Sequence, residues 1–418
     1  MNGDAVTPGL PPHTRFVRAL TAVSDNTYLS AIRAGMVAVV PLTIIGGLFL
    51  IVAHLPVSGW EARVAPYRPV LEVPVTATFG MLAVFACLSI AYDLGRQLKQ
   101  EPIVSASIAL VVFLMLQIEP SDSSFRMEGL GSKGLFTAIL IALVTVRVQK
   151  LFADRHLVIR LPASVPSIVY QSFLSLTPLF VLITGFWLLR FVLGLDIDRM
   201  VQTAFSPLVF ALNTLPGILF YALLVAGLWS IGINGDNAVD AIVAPIFLQY
   251  LAANVEATTL GQPLPYVTAY GFFTTFVNVG GTGATIALAL ILCRSREPGY
   301  RKISRLSLPT QIFQINEPIF FGLPIVLNPI FMIPYVLNAL ILTAGSYLLM
   351  HTGAIHRPFV NVPWTTPPVI GHYLVSGGDW RAAAWGIASI LIAMAVYLPF
   401  ARTAERQRLR AVAEGMTL

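Results

Sequence analysis

From residue 28 to residue 400 the chain alternates between apolar windows and short polar breaks. The windows run to about 20 residues, the length a helix needs to cross the hydrocarbon core. The first half is regular, and its windows at 28–54, 75–92, 103–118, 134–148 and 170–193 predict spanning helices. Between the fourth and fifth, residues 152–171 mix Arg155, Arg160 and two prolines with apolar residues, which suits an interfacial connection at the cytoplasmic surface. The second half is interrupted by Gly, Pro and Asn at Ile231-Gly-Ile-Asn-Gly-Asp-Asn237, Asn278-Val-Gly-Gly-Thr-Gly-Ala-Thr285, Asn316-Glu-Pro318 and Asn361-Val-Pro-Trp-Thr-Thr-Pro-Pro368. Non-helical backbone at membrane depth survives only where protein or a water-filled cavity satisfies its polar groups. The four breaks therefore predict re-entrant hairpins around a polar cavity, and interrupted segments of this kind point to a transporter's substrate site. The expected division falls near 198–202, giving a scaffold unit at 1–200 and a substrate-carrying unit at 201–418. No inverted repeat, low-complexity tract or long linker is evident.

Of the 418 residues, 56% are hydrophobic and 11% charged, against about 25% charged in soluble domains. The fold class that follows is an all-α polytopic membrane protein. The net charge of +6 changes the picture only through its placement. Cations gather at the window ends: Arg96 and Lys99; Arg147, Lys150, Arg155 and Arg160; Arg294, Arg296, Arg301, Lys302 and Arg305; Arg402, Arg406, Arg408 and Arg410. Loops 58–73 and 119–131 have few cations and balance them with acids. The positive-inside rule then puts the basic loops and both termini in the cytoplasm, with 1–26 as a polar lead-in, and nucleic-acid binding is disfavoured. Cys87 and Cys293 read as structural, and the six histidines have neither metal-ligand spacing nor nucleophile partners. No autonomous catalysis, metal or cofactor is expected.

Glu317 is the only Asp, Glu, Lys or Arg between Arg305 and Arg357. An acid at bilayer depth costs roughly 2.5–3.5 kcal/mol by the more modest scales and normally faces a cavity, a pathway or a partner. Asn316 beside it offers hydrogen bonds, Pro318 disturbs helical pairing, and a carboxylate suits sugar hydroxyl donors; the plainer reading is an acid that satisfies helix ends. In the 231–237 break, Asn234 and Asp236 are ligand candidates, the plainer reading being a turn in which Asp236 or Asp240 caps the next helix. Gly280-Gly-Thr-Gly283 lacks the Lys-Ser/Thr of a nucleotide loop, and Asn278, Thr282 and Thr285 line the cavity or bond within the bundle. Trp364, with Thr365, lies between Pro363 and Pro367-Pro368, and either covers an apolar sugar face or joins an aromatic belt. His372 is a proton-handling candidate or a local structural partner.

These residues carry a resemblance. Asn316-Glu-Pro-Ile-Phe-Phe-Gly-Leu-Pro-Ile-Val-Leu-Asn-Pro329, Gly280-Gly-Thr-Gly-Ala-Thr285, Val362-Pro-Trp-Thr-Thr-Pro-Pro368 with Gly377-Gly-Asp-Trp-Arg381, and Ala31-Ile-Arg-Ala-Gly-Met-Val-Ala-Val-Val-Pro41 resemble the membrane component IIC of the bacterial phosphotransferase system, lactose/cellobiose/diacetylchitobiose branch. The resemblance spans nearly the whole chain. It implies a homodimer in the inner membrane, ten transmembrane helices per protomer, an N-terminal dimerisation unit and a C-terminal unit that carries one sugar across by an elevator movement. It also implies phosphorylation of the sugar by a separate cytoplasmic component IIB, with Glu317 near the hydroxyl to be phosphorylated and Asn316 beside it. The family's Gly-Ile-His-Gly is here Gly232-Ile-Asn-Gly235, and Asn234 hydrogen-bonds but takes no proton near neutral pH. The expected function is thus a permease for a β-linked disaccharide. The alternatives are a facilitator uncoupled from phosphotransfer and a membrane sugar sensor feeding a cytoplasmic signalling domain through the basic segment 402–415, with a channel as a weaker third.

Overall fold

Asn26 opens the first helix, its Oδ1 accepting from the N–H groups of Tyr28 and Leu29 at 2.9 and 3.2 Å. The structure, a computed structural model, describes residues 26–54, 59–157, 167–323 and 325–413. Most of the expected lead-in and the middle of the interfacial connection, 158–166, lie outside the described residues. The principal helices of the first half are α1 (Thr27–Ala53), α2 (Leu82–Gln97), α3 (Pro102–Leu116), α4 (Leu135–Asp154) and α5 (Ser167–Trp187). α6 (Ile197–Leu212) and α7 (Leu215–Ser230) follow, bent 82° from one another. Next come α8 (Gly235–Thr259), α9 (Thr285–Leu292), α10 (Pro298–Gln311), α11 (Glu317–Gly322), α12 (Pro329–His351), α13 (Pro368–Val375) and α14 (Trp380–Ala413).

Among the described residues, eight helices are long and apolar enough to cross a membrane. The bent α6–α7 pair makes nine if it is one span, and α3, with 15 residues, is apolar but shorter than these. Among the described residues, the only sheet-like feature is an isolated bridge between Ile118 and Phe125. α1, α2, α3 and α4 pack on one another, and α7, α9, α12, α13 and α14 form the second cluster, with α8 packed on both α1 and α7. Close approach in the first cluster depends on Gly35, where an added Cβ would sit 2.3 Å from Ile90 Cγ1 and 2.7 Å from its backbone nitrogen. Small residues that let backbones meet are the usual means of packing helices where lipid supplies no hydrophobic drive.

Each of the four expected breaks contains non-helical backbone, and three of them lie between helical segments. Residues 231–234 separate α7 from α8, 278–281 separate a wide, π-type turn (Phe272–Val277) from the short turn before α9, 312–316 separate α10 from α11, and 361–367 precede α13. Gly280, Gly281 and Gly283 take φ of +71°, +103° and +69°, values that L side chains avoid.

α6 is held at both ends by different partners. Near its start, Thr137 of α4 donates to Asp198, Gln202 Nε2 donates to the Lys133 carbonyl at 3.1 Å, and Arg126 pairs with Asp196 at 3.2 Å. Toward its end, Tyr250 of α8 donates to the Val209 carbonyl, Asn213 Oδ1 accepts from Val267 N–H at 2.9 Å, and the Asn213 carbonyl accepts from Tyr347 of α12 at 3.0 Å. The expected division at 200/201 lies in this helix. A second link joins distant parts of the chain: buried Asn361 donates through Nδ2 to Thr43 Oγ1 of α1 at 2.7 Å.

Candidate functional site

Glu317 starts α11, with Pro318 in the first turn where a missing N–H costs nothing. Its side chain is exposed, and no hydrogen bond or ion pair engages its carboxylate among the described residues. The backbone beneath it is tightly specified. The Asn316 carbonyl accepts from the N–H groups of Ile319 and Phe320 at 3.1 and 2.9 Å. Asn316 itself is buried, and its Nδ2 donates to the Thr282 carbonyl and to Thr282 Oγ1, each at 3.0 Å. Thr282 Oγ1 also accepts from Tyr335 of α12 at 2.7 Å. Buried Gln314, in a left-handed conformation at φ +67°, receives two successive backbone donors, Gly280 N–H at 2.6 Å and Gly281 N–H at 3.1 Å.

The Gly-rich break and the Glu317 break therefore form one unit. The two chains are so close that a Cβ on Gly281 would lie 2.4 Å from Asn316 Cβ, and one on Gly283 2.3 Å from the Tyr335 ring. α14 supports the same turn, Tyr397 donating to the Gly283 carbonyl at 2.8 Å.

The 231–234 break joins this unit from the other side. The Leu327 N–H donates to the Ser230 carbonyl at 2.9 Å, and the Trp229 ring meets Phe320 edge to face at 5.1 Å. The Trp229 indole N–H donates to Asp236 at 2.9 Å, which occupies one of its carboxylate oxygens. Asn234 is exposed and caps α8, its Oδ1 accepting from Asn237 N–H at 2.9 Å. The cap expected of Asp236 or Asp240 is thus supplied by Asn234, whose Nδ2 has no hydrogen-bond partner among the described residues. Asn278 is half-buried below the Gly-rich turn, and its carbonyl accepts from Gly281 N–H at 3.1 Å.

Trp364 is 55% exposed, with Thr365 half-buried beside it. Their segment leads into α13, which packs on the Phe272–Val277 turn. His372 is wholly buried, its Nδ1 2.5 Å from the Pro368 carbonyl and its ring 4.5 Å from Phe276. It lies within the packing behind the Gly-rich turn, and no bond joins it to the Glu317 group. No group of metal-ligating side chains occurs among the described residues.

The family described as "Phosphotransferase system, EIIC" matches residues 33–339. The chain belongs to this family. It is 35% identical over 431 aligned residues to the "PTS system cellobiose-specific EIIC component" of Geobacillus stearothermophilus, covering 94% of this chain and 95% of that protein. It is 32% identical to the "Lichenan permease IIC component" of Bacillus subtilis, with 93% and 91% covered. The crystal structure of the transporter ChbC, the IIC component from the N,N'-diacetylchitobiose-specific phosphotransferase system, superposes with a TM-score of 0.89 at 32% identity, covering 97% of this chain and 99% of that one.

In this EIIC chain, sequence reasoning missed Gln314, Tyr335, Trp229 and Phe320, which hold the breaks together. Gln314 carried a signal, being an amide in an apolar run two residues before Asn316. The aromatic residues carried none that separates them from ordinary membrane-helix side chains.

Proposed function

We propose that the chain carries a β-linked disaccharide of the cellobiose or diacetylchitobiose type into the cytoplasm of a bacterium, across the inner membrane, as a homodimer with both termini inside. The observation that carries this reading is the open carboxylate of Glu317, in a stretch without another charge, on backbone fixed by Asn316, Thr282 and Gln314. Sugar hydroxyls donate to Glu317, and Asn234 Nδ2 donates to a sugar oxygen. Trp364 covers an apolar sugar face and Thr365 adds a hydroxyl contact. Asn316, Thr282 and Asn278 hold the turns that present these groups, Asp236 and Trp229 fix the Asn234 corner, and His372 acts through packing behind it.

Residues from about 201 onward move as the substrate-carrying body of an elevator, against a scaffold made by the first 200. Once the sugar faces the cytoplasm, its hydroxyl oxygen attacks the phosphorus of a phosphorylated IIB protein, and the bond from phosphorus to the IIB side chain breaks. Because Asn234 takes no proton near neutral pH, Glu317 accepts the one the hydroxyl gives up. The names of the cellobiose and diacetylchitobiose relatives support the substrate class.

The test is uptake of radiolabelled cellobiose and diacetylchitobiose into proteoliposomes, with and without phosphorylated IIB inside. Sugar phosphate is expected only with the partner. Free sugar equilibrating in both cases means an uncoupled facilitator, and binding without uptake means a sensor. Glu317→Gln is expected to weaken sugar binding about tenfold to a hundredfold, the equivalent of roughly 1.5–3 kcal/mol for a hydrogen bond to a charged group. Unchanged affinity in that variant removes the site.

A further inference from the structure

The segments 293–305 and 400–413 hold nine cations and only two acids, Glu297 and Glu405. Both acids are used locally. Glu297 caps α10, accepting from Tyr300 N–H at 2.5 Å, and Glu405 Oε1 accepts from Ser295 Oγ at 2.7 Å and from Arg296 N–H at 2.5 Å. The Glu405 contacts fasten the α9–α10 loop to the flank of α14, whose Ala401, Ala404 and Ala411 are buried. Arg294, Arg296 and Lys302 on one element and Arg402, Arg406 and Arg410 on the other are thereby exposed in one braced surface. None of the nine is in an ion pair with a described residue.

The length of α14 brings this surface within reach of a soluble protein. α14 has 34 residues, about 51 Å at roughly 1.5 Å per residue. The hydrocarbon core is about 30 Å thick, and about 40–45 Å with the headgroups. Counted from Trp380, Arg402, Arg406 and Arg410 come about 33, 39 and 45 Å along the helix, so its last turns reach the outer edge of the headgroup layer, where a soluble protein can meet it. α10 runs from this surface to the break that presents Glu317.

We infer that the α14 extension and the α9–α10 loop form the docking surface for the phosphoryl donor, and that the donor meets it with an acidic face around its phosphorylated side chain. This rests on the coupled reading given above. Charge complementarity at such a surface governs encounter rate and salt sensitivity more than the chemistry that follows.

The test uses the full chain in phosphatidylcholine proteoliposomes, with the phosphorylated IIB protein of a cellobiose system as probe. Arg406→Glu with Arg410→Glu is expected to raise the KM for IIB at least about tenfold, leave sugar affinity unchanged, and abolish the salt dependence of transfer. Arg406→Gln with Arg410→Gln is expected to give an intermediate KM. Retained sugar binding shows that the variants fold. An unchanged KM overturns the inference, as does a rise confined to vesicles containing phosphatidylglycerol, which assigns the surface to lipid. If the unaltered chain forms no sugar phosphate, the coupled reading fails, and direct binding of IIB then decides the docking surface: binding lost on charge reversal sustains it, and no binding overturns it.

Discussion

Gln314 holds a larger share of the site's geometry than its place behind Glu317 suggests. A single side-chain oxygen takes two consecutive backbone donors from a turn whose glycines hold left-handed backbone. Removing the acceptor leaves the buried Gly280 N–H unpaired, at a cost of about 1–3 kcal/mol, and leaves Gly281 N–H with the Asn278 carbonyl alone. What matters is acceptance and not volume, so chemically opposite substitutions separate the two. Gln314→Met keeps the length but offers no oxygen, and is expected to weaken sugar binding by at least about tenfold, consistent with the loss of one such bond. Gln314→Glu retains the acceptor and is expected to stay within about threefold of the parent, a difference well under 1 kcal/mol. Isothermal titration with cellobiose reads both, and equal losses in the two variants would mean that the oxygen is not what counts.

At the scale of elements, the turn between α13 and α14 shows how an irregular join is fixed. Asp379 accepts from the N–H groups of His356 and Arg381 at 2.9 and 3.0 Å and forms a two-point pair with the Arg381 guanidinium at 3.0 and 3.2 Å. Burial pushes the carboxyl up, but the guanidinium and the two N–H groups outweigh it and hold it below the usual carboxylate range. A depressed folded value means that the stabilisation is complete above the unfolded value of about 3.9 and is lost as pH falls through the folded one. Thermal unfolding of the detergent-solubilised protein is expected to lose midpoint temperature below about pH 4, and Asp379→Asn to lose less over that window. A variant curve parallel to the parent's would remove Asp379 from the acid response. The breaks themselves were legible in the chain, because Gly, Pro and Asn interrupt apolar windows for local reasons. The pairings across them were not. Gln314 reaches Gly280, and Tyr335 reaches Thr282, over 34 and 53 residues, and only the packed helices decide those matches. Glu317 stood out because a lone acid in an apolar stretch is costly wherever it folds. His372 did not reveal its burial, since a histidine is polar in composition and apolar in packing.

For the whole molecule, the link from Asn361 to Thr43 joins the segment before α13 to the first spanning helix. If the second half travels as a body, this contact opens. In a chain carrying Cys87→Ala and Cys293→Ser, the pair Thr43→Cys and Asn361→Cys is expected to crosslink on oxidation, stop uptake and leave sugar binding intact. Uptake at the parental rate in fully crosslinked protein would exclude separation of these segments during transport. α6 sets a further condition on any such motion. Its 16 residues make a strut of about 24 Å at roughly 1.5 Å each, fastened near Asp198 to the first cluster and near Asn213 to the second. Pro207 lies within it and leaves the Thr203 carbonyl without its helical N–H, a place that Ser206 fills with its hydroxyl at 2.8 Å. A load carried on a strut pinned at its far end does not rise along a straight line. If the second half is such a load, it would swing on an arc, and every ångström of passage through the membrane would bring a sideways shift and a turn of the sugar relative to the first cluster.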